Sequence, residues 1–175
     1  MTIGPYSKVG GEISQTVIQG FTNKAHDGFL GNSVIGEWCN LGAATNNSNL
    51  KLNYSTIKMW NFHTKKFIDT GLQFCGMIMG DYTKCSIASQ FNTGTTVGMG
   101  ANILGSGIQK NLIPSFSWGV KQGFITHRID KMLETTDLVM RRRSKHLEDH
   151  QKEVLKNVFI QTQYERTWEI RTNNE

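Results

Sequence analysis

The chain has 175 residues, about the length of one domain, with 38% hydrophobic residues, 19% charged residues and a net charge of +5. This composition excludes a disordered chain and a fibre. No stretch approaches the ~18 consecutive apolar residues of a membrane span, and the first twenty residues lack the pattern of a secretory signal, so we expect neither.

Glycine and arginine divide the chain into two parts. All 18 glycines lie within residues 1–123, and all six arginines lie within residues 128–171. The first part is rich in Gly, Asn and Thr, whereas the second is densely charged. We therefore predict one domain over residues 1–125 and a C-terminal helical extension over residues 126–175.

A six-residue period runs through the first part. One run is apolar throughout and consists of Met79, Cys85, Phe91, Val97 and Ile103. The other contains two polar residues and consists of Val17, Asn23, Phe29, Ile35, Leu41 and Asn47. Six is neither a helical period nor a simple strand period. It fits short strands that each end in a tight turn, with three such units closing a coil of about 18 residues. We predict an all-β solenoid, the left-handed parallel β-helix of hexapeptide repeats, with Gly and Asn at its corners.

The period is lost between the two runs, at about residues 50–76. Residues 55–62 alternate roughly between polar and apolar, and a second short β-like stretch, residues 66–70, follows a polar link. This pattern predicts an inserted β-hairpin loop that projects from the stack of coils. Insertions of this kind often carry binding residues.

The second part has a helical pattern. Thr126 is the expected N-cap of a first helix, whose apolar face is Ile129, Leu133, Thr136 and Met140. A second helix is predicted from about Leu147 to Phe159, and both helices should cover an open end or side of the solenoid. The arginine run at residues 141–143 has no accompanying aromatic-interleaved basic surface, so we expect no nucleic acid partner.

Three cysteines, Cys39, Cys75 and Cys85, form an odd, widely spaced set without a CxxC pair. This spacing argues against a disulfide framework or a zinc ribbon and favours buried free thiols in a reducing cytoplasm. A zinc site of the carbonic anhydrase type needs three histidines, and the first part offers only His26 and His63. We therefore predict no metal.

Two stretches carry a family resemblance, namely AHDGFLGNSVIG at residues 25–36 and NLGAATNNSN at residues 40–49. They resemble the C-terminal acyltransferase domain of the bifunctional N-acetylglucosamine-1-phosphate uridyltransferases/glucosamine-1-phosphate acetyltransferases. They are closer still to the β-helix tail of two-domain sugar nucleotidyltransferases. The resemblance covers roughly residues 3–125.

The resemblance implies roles for individual residues. It makes His26 the catalytic base, places Asn49 beside the acetyl-transfer site and makes Asn40 a sugar contact. Phe29 replaces a tyrosine that touches the sugar phosphate, which leaves the acceptor's identity open. A histidine suits this role because its unperturbed pKa of ~6.5 lies near neutrality. Alternatively, His26 is a structural histidine in a turn, and the asparagines have a purely structural role at the corners.

Two further residues follow from the same resemblance. Lys51 matches a substrate-binding lysine expected shortly after Asn49, and Gly105 falls where the backbone meets the arm of coenzyme A. The 23 residues between His26 and Asn49 exceed one coil, so we expect these two side chains on adjacent turns, in reach of a shared cleft.

The resemblance also implies a function. It predicts an acyl-CoA-dependent N-acetyltransferase that forms a homotrimer, uses acetyl-CoA as the acyl donor and acts on an amino-sugar phosphate or sugar nucleotide. The N-terminal nucleotidyltransferase domain has no counterpart here, so we expect a fragment of a longer protein. The alternative is a non-catalytic trimerisation module taken from a sugar-1-phosphate nucleotidyltransferase.

Overall fold

A computed structural model describes residues 1–171 of the chain. It contains twenty short strands and three helices. The strands are β1 (Thr2–Ile3), β2 (Lys8–Val9), β3 (Glu12–Ser14), β4 (Val17–Ile18), β5 (Asn23–Lys24), β6 (Phe29–Gly31), β7 (Val34–Ile35), β8 (Asn40–Leu41), β9 (Asn46–Asn47), β10 (Lys58–Asn61), β11 (Lys66–Asp69), β12 (Met77–Met79), β13 (Lys84–Cys85), β14 (Ser89–Phe91), β15 (Thr95–Val97), β16 (Asn102–Ile103), β17 (Gly107–Ile108), β18 (Leu112–Ile113), β19 (Ser117–Val120) and β20 (Gly123–Thr126). The helices are α1 (Ile129–Arg141), α2 (Asp149–Gln161) and α3 (Thr167–Arg171), with a 3₁₀ turn at Gln163–Glu165 between the last two.

The strands form a three-faced parallel solenoid. The first face is β1-β4-β7-β12-β15-β18, and the second is β2-β5-β8-β13-β16-β19. The third face consists of two sheets, β3-β6 and β9-β14-β17. Ile3 pairs with Ile18 and Met79 with Val97, so a coil takes 15 residues at the start and 18 in the middle. The predicted solenoid is confirmed, in agreement with a hexapeptide-repeat left-handed β-helix.

The inward-facing residues confirm one periodic run and correct the other. All five residues of the run from Met79 to Ile103 are buried. In the earlier run the first three residues were assigned one position too early, because the buried side chains are those of Ile18, Lys24 and Leu30, not Val17, Asn23 and Phe29. The cause is the step from Leu30 to Ile35, which takes five residues instead of six.

The inserted segment forms the predicted antiparallel hairpin from β10 and β11. Its base is closed where the Thr70 amide donates to the Ile57 carbonyl and the Ile57 amide donates to the Leu72 carbonyl, both at 2.9 Å. The hairpin folds back over β15 of the first face. As a result, the outward-facing Thr96 is only 2% exposed.

One corner of the solenoid carries aromatic residues where we expected Gly and Asn. Tyr6, Phe21 and Trp38 occupy successive coils with φ of 58°, 59° and 57°. The Tyr6 and Phe21 rings stack at 5.0 Å, and the Phe21 and Trp38 rings at 4.1 Å. A left-handed φ costs an L-residue about 1–2 kcal/mol, and ring stacking returns an amount of that order.

The helices cover this aromatic corner. Met132 and Met140 of α1 and Leu155 of α2 are buried with Trp38 and Phe116 in a second hydrophobic cluster, apart from the core inside the coils. The cap of α1 is Arg128 and not the predicted Thr126. Helix α2 begins two residues later than predicted because Glu148 and Gln151 form a capping box, and it ends two residues later, at Gln161. Residues 172–175 of the predicted extension lie outside the described residues.

The structure also bears on the cysteines and on membrane-spanning helices. All three cysteines are free thiols, with Cys39 and Cys85 buried and Cys75 half-buried. Among residues 1–171, no helix has the length and apolar character needed to cross a membrane.

Candidate functional site

An open cavity of about 460 Å³ lies at the corner between the second and third faces. Three consecutive strands supply its polar wall, because Lys8 pairs with Asn23 and Asn23 with Asn40, so their side chains form an outward-facing column. His26 follows β5 and completes this wall. The remaining lining residues are Ala25, Leu41, Gly42, Ala43 and Ile87. The structure thus brings together two of the predicted site residues, His26 and Asn40.

The imidazole of His26 is exposed, and within residues 1–171 it has no hydrogen-bond or ion-pair partner. The neighbouring carboxylate could have fixed its tautomer, but Asp27 instead accepts a hydrogen bond from the Ala44 amide at 3.2 Å. A turn histidine tied to an adjacent coil would show such a bond from the ring. The ring is therefore available to a molecule from outside the chain.

Lys24 holds the backbone of this corner from inside. It occupies an inward position and is 1% exposed, yet its ammonium donates to the carbonyls of Gly10 at 3.2 Å, His26 at 2.5 Å and Asp27 at 2.7 Å. Desolvation lowers the pKa of Lys24, and the nearby Asp27 carboxylate offsets part of this. Lys24 was not predicted from the sequence, because the first three positions of its periodic run were assigned one residue too early.

Gly28 fixes the end of the corner. Its φ is +107°, and a Cβ atom there would lie 2.1 Å from the carbonyl oxygen of Thr45 on the next coil. Only a glycine allows the two backbones to come this close. The turn that carries His26 is therefore clamped from inside by Lys24 and from the next coil by Thr45.

The third face is interrupted just beyond this corner. Backbone pairing stops between β6 and β9, and side chains replace it. The side-chain oxygen of Asn46, Oδ1, accepts a hydrogen bond from the Phe29 backbone amide at 2.8 Å. The Asn47 side chain both accepts from the Gly31 amide at 2.8 Å and donates to the Gly31 carbonyl at 3.0 Å. Asn46 and Asn47 therefore have a structural role.

Phe29 and Asn49 lie together over Gly31. A Cβ atom on Gly31 would lie 2.3 Å from the Phe29 ring and 3.0 Å from the Asn49 amide nitrogen. Asn49 donates to Asn32 at 2.7 Å, and Asn32 donates to Gln15 at 2.9 Å, which makes a ladder of amides at the corner between the third and first faces. Asn49 does not line the cavity of His26. One chain thus places these two predicted catalytic residues at different corners.

Lys51 lies in the inserted segment, at a second open cavity of about 810 Å³. Its ammonium donates to the Thr56 carbonyl at 2.5 Å and contacts the Ser55 hydroxyl at 3.4 Å. In the isolated chain it therefore braces its own loop. Lys58 and Phe67 of the hairpin line the same cavity, opposite Asn92 of the solenoid.

Gly105 lies at the same edge of the solenoid as His26, several coils further on. It has φ of +80°, and its carbonyl accepts from the Ser86 hydroxyl at 3.2 Å. Ser86 adjoins Ile87, which lines the His26 cavity. A ligand lying along this edge could reach from Gly105 to the cavity.

Within the described part of the chain, no three His, Cys, Asp or Glu side chains are close enough together to hold a metal ion. The hydrogen-bonding side chains of this cavity are the Lys8 ammonium, the Asn23 and Asn40 amides and the His26 imidazole itself. Such groups suit an anionic, hydroxyl-rich ligand.

Comparison with known proteins agrees with the fold. The chain is 33% identical over 87 residues to the bifunctional protein GlmU of Methanocaldococcus jannaschii. The chain is similar to GlmU. The matched stretch is 50% of this chain but 21% of GlmU, so the chain spans about a fifth of that relative's length. No family model matches. The similarity to GlmU and the solenoid together confirm the predicted resemblance.

Proposed function

We propose that this protein is an acyl-CoA-dependent N-acetyltransferase that acts on an amino-sugar phosphate or a sugar nucleotide. The observation that carries the proposal is the exposed, unpartnered imidazole of His26, which faces a polar cavity in a solenoid similar to GlmU. Within residues 1–171 this ring makes no hydrogen bond and no ion pair.

The chemistry needs few groups. The amine nitrogen of the acceptor attacks the thioester carbonyl carbon of acetyl-CoA, and His26 removes the proton that the nitrogen loses. The tetrahedral intermediate then collapses, the C–S bond breaks, and the thiolate leaves and takes up a proton as free coenzyme A. Asn49 uses one amide hydrogen on Asn32 and has a second one that can stabilise the oxyanion.

The acceptor would bind next to His26, along the outward-facing column of Lys8, Asn23 and Asn40. The ammonium of Lys8 suits a phosphate group, and the Asn40 amide suits sugar hydroxyls. Asn23 also lines the cavity, and within residues 1–171 its buried side-chain oxygen lacks a hydrogen-bond partner. Lys8 thereby supplies a basic contact that the sequence pattern did not indicate. Phe29 does not line this cavity; its ring lies over Gly31 beside Asn49.

The donor side requires a neighbouring subunit, and we propose a homotrimer. His26 and Asn49 lie at different corners of one chain, so a partner's Asn49 edge has to face the His26 cavity for both to act on one thioester. Val17, Val34 and Ile78 form an exposed apolar stripe on the first face, each about two-fifths exposed. An apolar stripe of this kind suits subunit contact. Acetyl-CoA would lie along the edge that includes Gly105.

A thiol-release assay with acetyl-CoA and glucosamine 1-phosphate tests the proposal. His26→Ala should reduce kcat by about 10²–10⁴-fold, the usual share of a general base, while light scattering still gives the mass of three chains. His63→Ala is the matched control, because His63 is an exposed histidine in the inserted hairpin, and it should leave kcat unchanged. An unchanged rate in His26→Ala would overturn the assignment of the base.

The alternative is a non-catalytic trimerisation module. The engagement of Lys51 within its own loop and of Asn49 in the amide ladder favours it, because both predicted site residues already have structural roles. A module of this kind would form the same trimer and release no thiol at any acceptor concentration.

A further inference from the structure

Lys24 is a buried cation in a column of apolar residues. Along the second face it lies between Val9, which is 38% exposed on the first coil, and the buried Leu41, and the column continues with Cys85 and Ile103. Burying an unpaired ammonium in such a place costs several kcal/mol. A core that served packing alone would have an aliphatic residue here, as the neighbouring coils do. The groups that the ammonium binds therefore explain why a lysine occupies this position.

The ammonium has three hydrogens, and three carbonyl oxygens accept them. Two of these carbonyls belong to the consecutive residues His26 and Asp27, and the third belongs to Gly10 on the preceding coil. The two bonds to His26 and Asp27 are short, at 2.5 and 2.7 Å, as expected for charge-assisted bonds. The backbone carbonyl of His26 is thereby drawn into the solenoid.

The consequence concerns the direction of the imidazole. Because the carbonyls of residues 26 and 27 are both fixed toward the interior, the His26 side chain is directed outward into the cavity. On the other side of the turn, Gly28 lies so close to the Thr45 backbone that a Cβ atom would collide with it. No hydrogen bond from the rest of residues 1–171 holds the ring itself, so its placement depends on this backbone.

We propose that Lys24 is the positioning residue for His26, acting through the backbone carbonyls and never touching the substrate. The inference rests on the proposed function for its effect on turnover, but its structural content can be measured without substrate. A general base needs its nitrogen within hydrogen-bond reach of the reacting proton, so a loosened turn lowers kcat more than it affects coenzyme binding.

The kinetic test is Lys24→Met, which keeps the length of the side chain and removes the ammonium. We expect kcat to fall by at least tenfold while KM for acetyl-CoA changes less than twofold. Ile103→Val is the matched control, because Ile103 is fully buried in the same inward column, three coils beyond Lys24. It should leave both constants unchanged. An equal kcat in Lys24→Met and wild type would overturn the proposal.

The structural test uses NMR on the protein without substrate. In Lys24→Met the backbone amide signals of residues 26–28 and the His26 ring signals should shift, and these amides should exchange faster with solvent. In Ile103→Val they should stay in place. Unchanged signals in Lys24→Met would contradict the positioning role, whatever the enzyme assay shows. A wild type without thiol release, together with shifted signals, would refute the proposed function and leave the role of Lys24 intact.

A measurement on the wild type covers the case in which Lys24→Met does not fold. The ammonium of Lys24 should give a resolved, slowly exchanging ¹⁵N signal with couplings through the hydrogen bonds to the carbonyl carbons of His26 and Asp27. Lack of those couplings would overturn the proposal directly.

Discussion

At the scale of single residues, the His26 corner is built by residues that never face the cavity. Lys24 fixes the carbonyls from inside, and Gly28 allows the backbone of the next coil to approach. Asp27 bonds to Ala44 and adds a third link between coils. Buried contacts and backbone contacts thus hold the imidazole in its exposed position.

Gly28→Ala should destabilise the protein by about 2–4 kcal/mol, because it combines a left-handed φ with a collision against Thr45. Gly71→Ala separates the two causes, since Gly71 has φ of +70° but nothing within 4 Å of its Cβ position. That variant should lose only about 1 kcal/mol. Urea unfolding of both variants measures the difference, and equal losses would show that the close approach of the coils has no energetic weight.

The sequence leads to part of this site. The resemblance pointed to His26 and Asn40, which lie in one cavity, and also to Asn49, which lies at another corner. Lys24 could not be found, because a single five-residue step between Leu30 and Ile35 shifted the assignment of every earlier inward position. Lys8 could not be found either, since it lies one coil before Asn23 and the coil length varies along the chain.

At the scale of elements, α1 and α2 stabilise a surface that hexapeptide periodicity does not predict. The helices were predicted from their own apolar spacing, but the aromatic corner they cover was not, because bulky residues with positive φ are rare. Phe21 and Trp38 adopt that conformation where they stack on each other, and Trp38 is buried in the cluster with Met140. Local strain at this corner is therefore offset by tertiary packing.

Met140→Ala should lower the free energy of unfolding by about 2–5 kcal/mol, because Met140 is 4% exposed and lies in the cluster under the helix. Leu138→Ala on the same helix is the control, because Leu138 is 58% exposed. It should change the free energy of unfolding by less than about 0.5 kcal/mol. A similar cost for the two variants, measured by urea unfolding, would mean that α1 does not depend on the corner for its packing.

At the scale of the whole molecule, the solenoid places its chemistry on edges and its apolar surface on a face. The His26 cavity and Gly105 share one edge, and the exposed stripe of Val17, Val34 and Ile78 lies on the first face. This division suits an assembly in which faces meet and edges form clefts. The solenoid itself could be predicted from the regular run between Met79 and Ile103. These five residues, all buried in the structure, recur at a constant spacing of six, which fits only one assignment of the inward positions.

The proposal that the edges of the solenoid bind acetyl-CoA is tested most directly by a calorimetric titration of acetyl-CoA into the intact protein. We predict saturable binding with a micromolar Kd and one molecule bound per chain. No detectable heat up to millimolar acetyl-CoA would contradict the claim and would assign the solenoid to assembly alone.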